Sequence, residues 1–218
     1  MTDQPPRPSP EPMLQGVYGP FTISRRDERE VLGYRLSLLT VALALAGLLL
    51  QWQLVGGRML WPWLLPLLAG TGLALHWIHI YLRALHRLLQ LFWLCGCLGL
   101  LLLALRVGPA EMAASLANDG RWIWAVGPLF ASLAGIGFKE FFCFRRPEAI
   151  GLTLLLPVAL LGHLSGLLAP APAGRLLGLA ALLLLVLGLR KLPMPAAADV
   201  GDKSVFAYLE SQRRTATA

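Results

Sequence analysis

The chain has 218 residues, of which 56% are hydrophobic and 14% charged, with a formal net charge of +7 and a mean hydropathy of +0.63. Soluble domains carry about 25% charged residues and about 45–50% apolar ones. An ordinary soluble enzyme and a disordered chain are therefore excluded, and three cysteines make no disulfide scaffold.

Residues 1–24 read as a disordered polar leader, proline-rich at PPRPSPEP and without the apolar core of a signal peptide. Ser24 stands three residues before Asp27, a capping box that starts a charged helix running into the first span. A bilayer core about 30 Å thick needs about 20 apolar helical residues. Six runs meet or approach that length, at about 36–55, 60–82, 88–105, 122–142, 149–168 and 175–189. One helix across 60–105 would be about 69 Å long, so the run must fold back. The charged stretch from Arg83 to Arg87 is the place for it, and so tight a joint makes the two helices antiparallel neighbours. Continuous Leu and Ala runs do not fit the alternation of a membrane barrel. The expected fold is an all-α polytopic bundle with six transmembrane helices over residues 25–192 and a tail at 193–218.

With six spans, the side opposite the termini holds only Arg58, Arg106, Arg121 and Arg175 of the nineteen Lys and Arg. The positive-inside rule then puts both termini in the cytoplasm. It also accounts for the net charge, so nucleic-acid binding is not expected. Pro193 and Pro195 end the sixth helix. Asp202 or Ser204 would cap a short tail helix carrying Val205, Phe206, Tyr208 and Leu209. That small apolar face lies on the bilayer, docks on a partner, or belongs to a frayed tail.

Polar residues inside spans are functional hypotheses by default. Glu140 is the only acid within a predicted span, and ion-coupled transporters usually need several near mid-membrane. His79, Arg83 and His86 fall on one face of a helix, with His76 near it. Together with Arg87, Lys139 and Glu140 they form a candidate polar cluster. One reading is ligation of haem, chlorophyll or a metal by His76, His79 or His86. The default reading is an interfacial belt of Trp77, Tyr81 and the arginines, with no cofactor and no metal. Glu140 is expected to pair with Arg83, Arg87 or His79. Cys95 and Cys97, about 200° apart on a helix, read as packing residues, and Cys143 as a candidate palmitoylation site. Gly127, Ala131 and Gly135 in the fourth span, and Gly162 and Gly166 in the fifth, read as ridges for close helix packing. Hydrolase, zincin, P-loop and dinucleotide-binding signatures are missing.

Four stretches carry a resemblance: Tyr18-Gly-Pro-Phe-Thr-Ile23, then His79-Ile-Tyr81 with His86-Arg-Leu-Leu-Gln-Leu-Phe-Trp93, then Gly137-Phe-Lys-Glu-Phe-Phe-Cys143, and Gly201-Asp-Lys-Ser-Val-Phe206. In these the chain, over about 17–210, resembles an uncharacterised integral-membrane family of cyanobacteria and of plant and algal plastids. The resemblance implies a thylakoid or plasma membrane and a role in assembling or maintaining photosynthetic complexes. It supplies no catalytic residue. The expected function is a non-enzymatic membrane protein that binds other integral membrane proteins, with a haem-, pigment- or metal-binding protein and a small-solute transporter as alternatives.

Overall fold

The structure, a computed structural model, describes residues 13–216; the first half of the expected leader lies outside the described residues. The second half is not disordered. Strands β1 (Met13–Gly16) and β2 (Gly19–Thr22) pair antiparallel, with Met13 opposite Thr22 and Gly16 opposite Gly19. An isolated two-stranded hairpin is marginal in water. This one is held by the tail: the Val17 N–H donates to Asp202 Oδ2 at 2.7 Å and the Tyr18 N–H to Ser204 Oγ at 3.0 Å.

Helix α1 (Arg25–Leu54) opens on the expected capping box. The Ser24 N–H donates to Asp27 Oδ2 at 2.7 Å and the Asp27 N–H to Ser24 Oγ at 3.3 Å. Its 30 residues span about 45 Å, about 15 Å more than the hydrocarbon core. The charged first turns therefore stand outside it. Helix α2 (Trp61–Trp77) stops five residues earlier than the apolar run suggests. Residues 78–82 leave the helix, Ile78 being extended at ψ 131°, and α3 (Arg83–Val107) begins there. The reversal thus falls at 78–82 and not at Arg83–Arg87. β-branched and aromatic Ile78, Ile80 and Tyr81 favour the extended backbone, and hydropathy does not register that preference. After α4 (Met112–Asn118) and one 3₁₀ turn come α5 (Ile123–Phe144), α6 (Pro147–Leu164) and α7 (Pro170–Lys191). Short α8 (Ala196–Val200) and α9 (Lys203–Ala216) complete the tail.

Among the described residues, five helices, α1, α3, α5, α6 and α7, are long and apolar enough to cross a membrane. Helix α2, with 17 residues, is about 25 Å long. Packing runs in a ring: α1 touches α2 and α7, α6 lies between α7 and α5, and α3 joins α5 to α2. Leu38, Leu45, Leu67, Leu103, Leu133 and Leu184 point inward and are fully buried, while Leu50, Leu101, Leu154 and Leu182 face outward. The chain is an all-α membrane bundle with a hairpin and a helical tail packed on one end. Hairpin and tail touch, so both ends of the described chain lie at this capped end.

Helices α3 and α5 approach closely. At Gly99 an added Cβ would fall on the Ala125 carbonyl, and at Gly96 it would meet the Leu129 Cα at 2.8 Å. The Ser132 hydroxyl, buried in the same seam, donates to the Leu89 carbonyl at 2.8 Å. The expected ridges hold only in part. Gly135 closes on the Leu89 side chain, whereas Gly127 meets nothing beyond Ile123 of its own helix, and Ala131 is half-buried. Gly162 packs on Leu168, but Gly166 lies past the end of α6 at φ +76°. It is a turn glycine and not part of a helical ridge, since that backbone suits a residue without Cβ.

Candidate functional site

Under the cap, five charged side chains and one phenol are buried together. Arg35 comes from α1, Lys139 and Glu140 from the last turns of α5, Lys191 from the end of α7 and Asp199 from α8; none is more than 6% exposed. Lys191 Nζ donates to Glu140 Oε2 at 2.6 Å and also to Asp199 Oδ1. Lys139 Nζ and the Tyr34 hydroxyl donate to Glu140 Oε1 at 3.1 and 2.7 Å. Glu140 is therefore paired, but not with Arg83, Arg87 or His79. Arg83 and Arg87 are exposed on the first turn and a half of α3, because the break at 78–82 turns that helix away.

Arg35 anchors the cap. Its Nε and Nη2 donate to Asp199 Oδ2 at 2.7 and 2.6 Å. Its Nη1 donates to the Met194 carbonyl at 2.6 Å and the Leu192 carbonyl at 3.3 Å, and Nη2 also to the Pro195 carbonyl at 3.1 Å. A helix leaves its last carbonyls without partners; here one guanidinium satisfies those just past the end of α7. Three cations against two acids leave the cluster one positive charge in excess. Two aromatic faces meet that excess: Lys191 Nζ lies 4.2 Å from the Phe144 ring centre, and Lys139 Nζ 5.2 Å from both the Phe144 and the Tyr34 centres. Next to the cluster, Glu148 in the first turn of α6 pairs with Arg190 at 3.1 Å. A helix N-terminus favours an acid there.

Above this cluster three of the four stretches quoted for the resemblance meet, through Tyr18, Tyr81 and residues 201–206, while the remaining one, 137–143, supplies Lys139 and Glu140 to the cluster itself. Asp202 Oδ1 accepts from the Ser204 N–H at 2.9 Å and so caps α9. Its own N–H donates to the Tyr81 hydroxyl at 2.7 Å, and Lys203 Nζ reaches Asp27 Oδ2 at 2.9 Å. Phe206 packs on the Tyr81 ring, centres 4.7 Å apart, and Tyr18 stacks on Tyr208 at 4.0 Å. The hydrogen bonds from the Ser204 hydroxyl and then the Val17 N–H hold the Asp202 carboxyl below the usual carboxylate range. The tail helix is thus docked on its own chain.

The histidines do not gather. His76 is exposed beside Trp77. His86 Nε2 lies 2.6 Å from the Leu75 carbonyl. His79 Nε2 lies 3.5 Å from Glu30 Oε2. The shared helix face expected for His79, Arg83 and His86 is overturned, because residues 78–82 are not helical. The group closest to a metal-ligand set is Asp27, Glu30 and His79, whose ligand atoms lie within 4.8 Å of one another. Its Asp27 carboxylate already serves the helix cap and Lys203.

Burial holds the His79 ring below its ordinary value, with Lys139 adding to this and Glu30 opposing it. The folded state therefore gives up a proton that the unfolded chain keeps. The resulting stability is complete above about pH 6.5, the ordinary histidine value, and drains away as pH falls below it. Thermal melts in detergent are expected to drop as pH falls below about 6.5, and His79→Gln to flatten that slope.

Sequence pointed to Glu140 and Lys139, but it missed Arg35, Lys191 and Asp199. The only signal for Arg35 and Lys191 was charge at the ends of apolar runs, which the threading rule absorbs, and Asp199 lies outside those runs. A family model described as uncharacterized integral membrane protein (DUF2301) matches residues 73–208. Neither the curated proteins nor the solved structures contain a match to the chain.

Proposed function

The chain belongs to this family of uncharacterized integral membrane proteins, and from that premise we propose that it is a non-enzymatic, partner-binding factor. Its capped end docks other integral membrane proteins, in the assembly or maintenance of complexes of a photosynthetic membrane, thylakoid or plasma. One observation carries this reading: the cap presents apolar side chains on a fixed base. Val17 is 79% exposed and Tyr18 53%, beside half-exposed Tyr208 and Leu209. The hairpin turn bearing the first two is tied down by Asp202 and Ser204. Exposed apolar patches on rigid elements mark interaction surfaces. The Lys and Arg bias supports six crossings, α2 included, with the cap in the cytoplasm. The family and the resemblance support the membrane setting.

The tagged full chain, taken from native membranes in mild detergent, is expected to co-purify with a larger membrane complex. The double variant Tyr18→Asp with Leu209→Asp is expected to reduce that recovery about tenfold, the usual scale for losing an aromatic anchor. Recovery of the unmodified chain only as a lone monomer across detergents would overturn the reading.

A further inference from the structure

At the end away from the termini the helix ring forms a half-open cavity of about 500 Å³, within the size range of small-molecule sites. Leu45, Leu49, Leu67, Val126, Leu129 and Leu160 are among its apolar walls. Polar side chains reach it only as Gln53, His163 and Arg175. The two ring nitrogens of His163 already face the carbonyls of Leu116 at 2.8 Å and Leu168 at 3.2 Å. Arg175 differs from Arg190 on the same helix. Arg190 pairs with Glu148, whereas Arg175 has no ion pair or hydrogen bond among the described residues. It is also exposed, in the first turns of α7.

Apolar walls offer water few hydrogen-bond partners, and an unfilled recess forfeits dispersion contacts along its lining. An apolar chain satisfies both conditions, and the exposed guanidinium of Arg175 favours an anionic head at the rim. We propose that this cavity binds one acyl chain of an anionic amphiphile, its carboxylate or phosphate held at Arg175 and its chain among the leucines. Two sources supply that chemistry: a free fatty acid, or one chain of an anionic bilayer phospholipid. The site lies at the opposite end from the cap and is independent of partner docking there.

Trp52 lines the cavity and serves as the reporter, and Gly174 lines it with no atom within 4 Å of an added Cβ. Gly174→Leu therefore adds bulk at the lining without displacing backbone. The full chain is placed in nanodiscs of unbrominated phosphatidylcholine and titrated with 9,10-dibromostearate. In a second arm, dibromo-phosphatidylglycerol replaces part of the lipid. The readout is the quenching that Trp52→Phe removes. It is expected to saturate, to lose its saturable part in Gly174→Leu, and to need about three to five times more ligand in Arg175→Gln, the scale of one exposed ion pair. Saturation with the fatty acid assigns a free acid, saturation only with the phospholipid assigns a bilayer chain, and saturation with both supports the shared chemistry. Quenching that rises only in proportion to brominated chains in both arms overturns the proposal, as does a saturable part that survives Gly174→Leu. Unchanged affinity in Arg175→Gln, an exposed position where the fold is not at stake, overturns the anionic head.

Discussion

Glu140→Gln is expected to destabilise the folded protein by about 3–5 kcal/mol, the cost of leaving buried charge without its partner. The substitution keeps the volume and one carbonyl acceptor for Tyr34 and Lys139. What it removes is one of two acids that balance Arg35, Lys139 and Lys191, so the surplus inside the cluster rises from one positive charge to two. Lys191→Met acts in the other direction. Glu140 keeps Lys139 and Tyr34, Asp199 keeps Arg35, and the remaining charges cancel. The loss is then that of hydrogen bonds to groups that retain other partners, about 1 kcal/mol. Thermal unfolding in detergent, followed by tryptophan fluorescence, is expected to rank Glu140→Gln far below Lys191→Met. The double variant returns to a surplus of one and is expected to melt above Glu140→Gln alone, which a double-mutant cycle measures directly. A Lys191→Met protein less stable than Glu140→Gln would mean that Lys191 acts as a strut whose contacts outweigh the charge balance.

Gly99→Ala is expected to be the most damaging single-methyl addition in the bundle. The new Cβ would overlap the Ala125 carbonyl and lie 2.9 Å from its Cα, and backbone cannot swing aside as a side chain can. Helices α3 and α5 must part along the seam where Gly96 and Ser132 also meet their neighbours. Packing of this kind, more than hydrophobic burial, holds helices together in lipid. The expected cost is about 1–3 kcal/mol, the scale of overpacking. Gly178→Ala on α7 is the control, because an added Cβ there meets nothing within 4 Å and alanine favours helix. The same melts are expected to show a lowered transition for the first and an unchanged or raised one for the second.

The apolar blocks were legible because a membrane span is written in composition, and the Ser24–Asp27 box because a cap is local. The reversal at 78–82 was not, since His79, Ile80, Tyr81 and Leu82 extend a hydrophobic run while their backbone leaves the helix. The hairpin was hidden beside a proline-rich stretch, and its anchors Asp202 and Ser204 lie about 185 residues away. Glu140 was legible as a residue but its partners were not. Lys191 is 51 positions on and Asp199 lies outside every apolar run, so no spacing links them. Gly96 and Gly99 escaped because they recur at three residues, while the ridges sought at Gly127, Gly135, Gly162 and Gly166 recur at four or more.

Asp199 follows every long helix of the bundle in the chain. In a chain that stops at the end of α7, Arg35, Lys139 and Lys191 share Glu140 alone, and the carbonyls of residues 192–195 that Arg35 covers are absent. The charge balance of the capped end is therefore completed by the tail: without residues past α7, three buried cations face one acid.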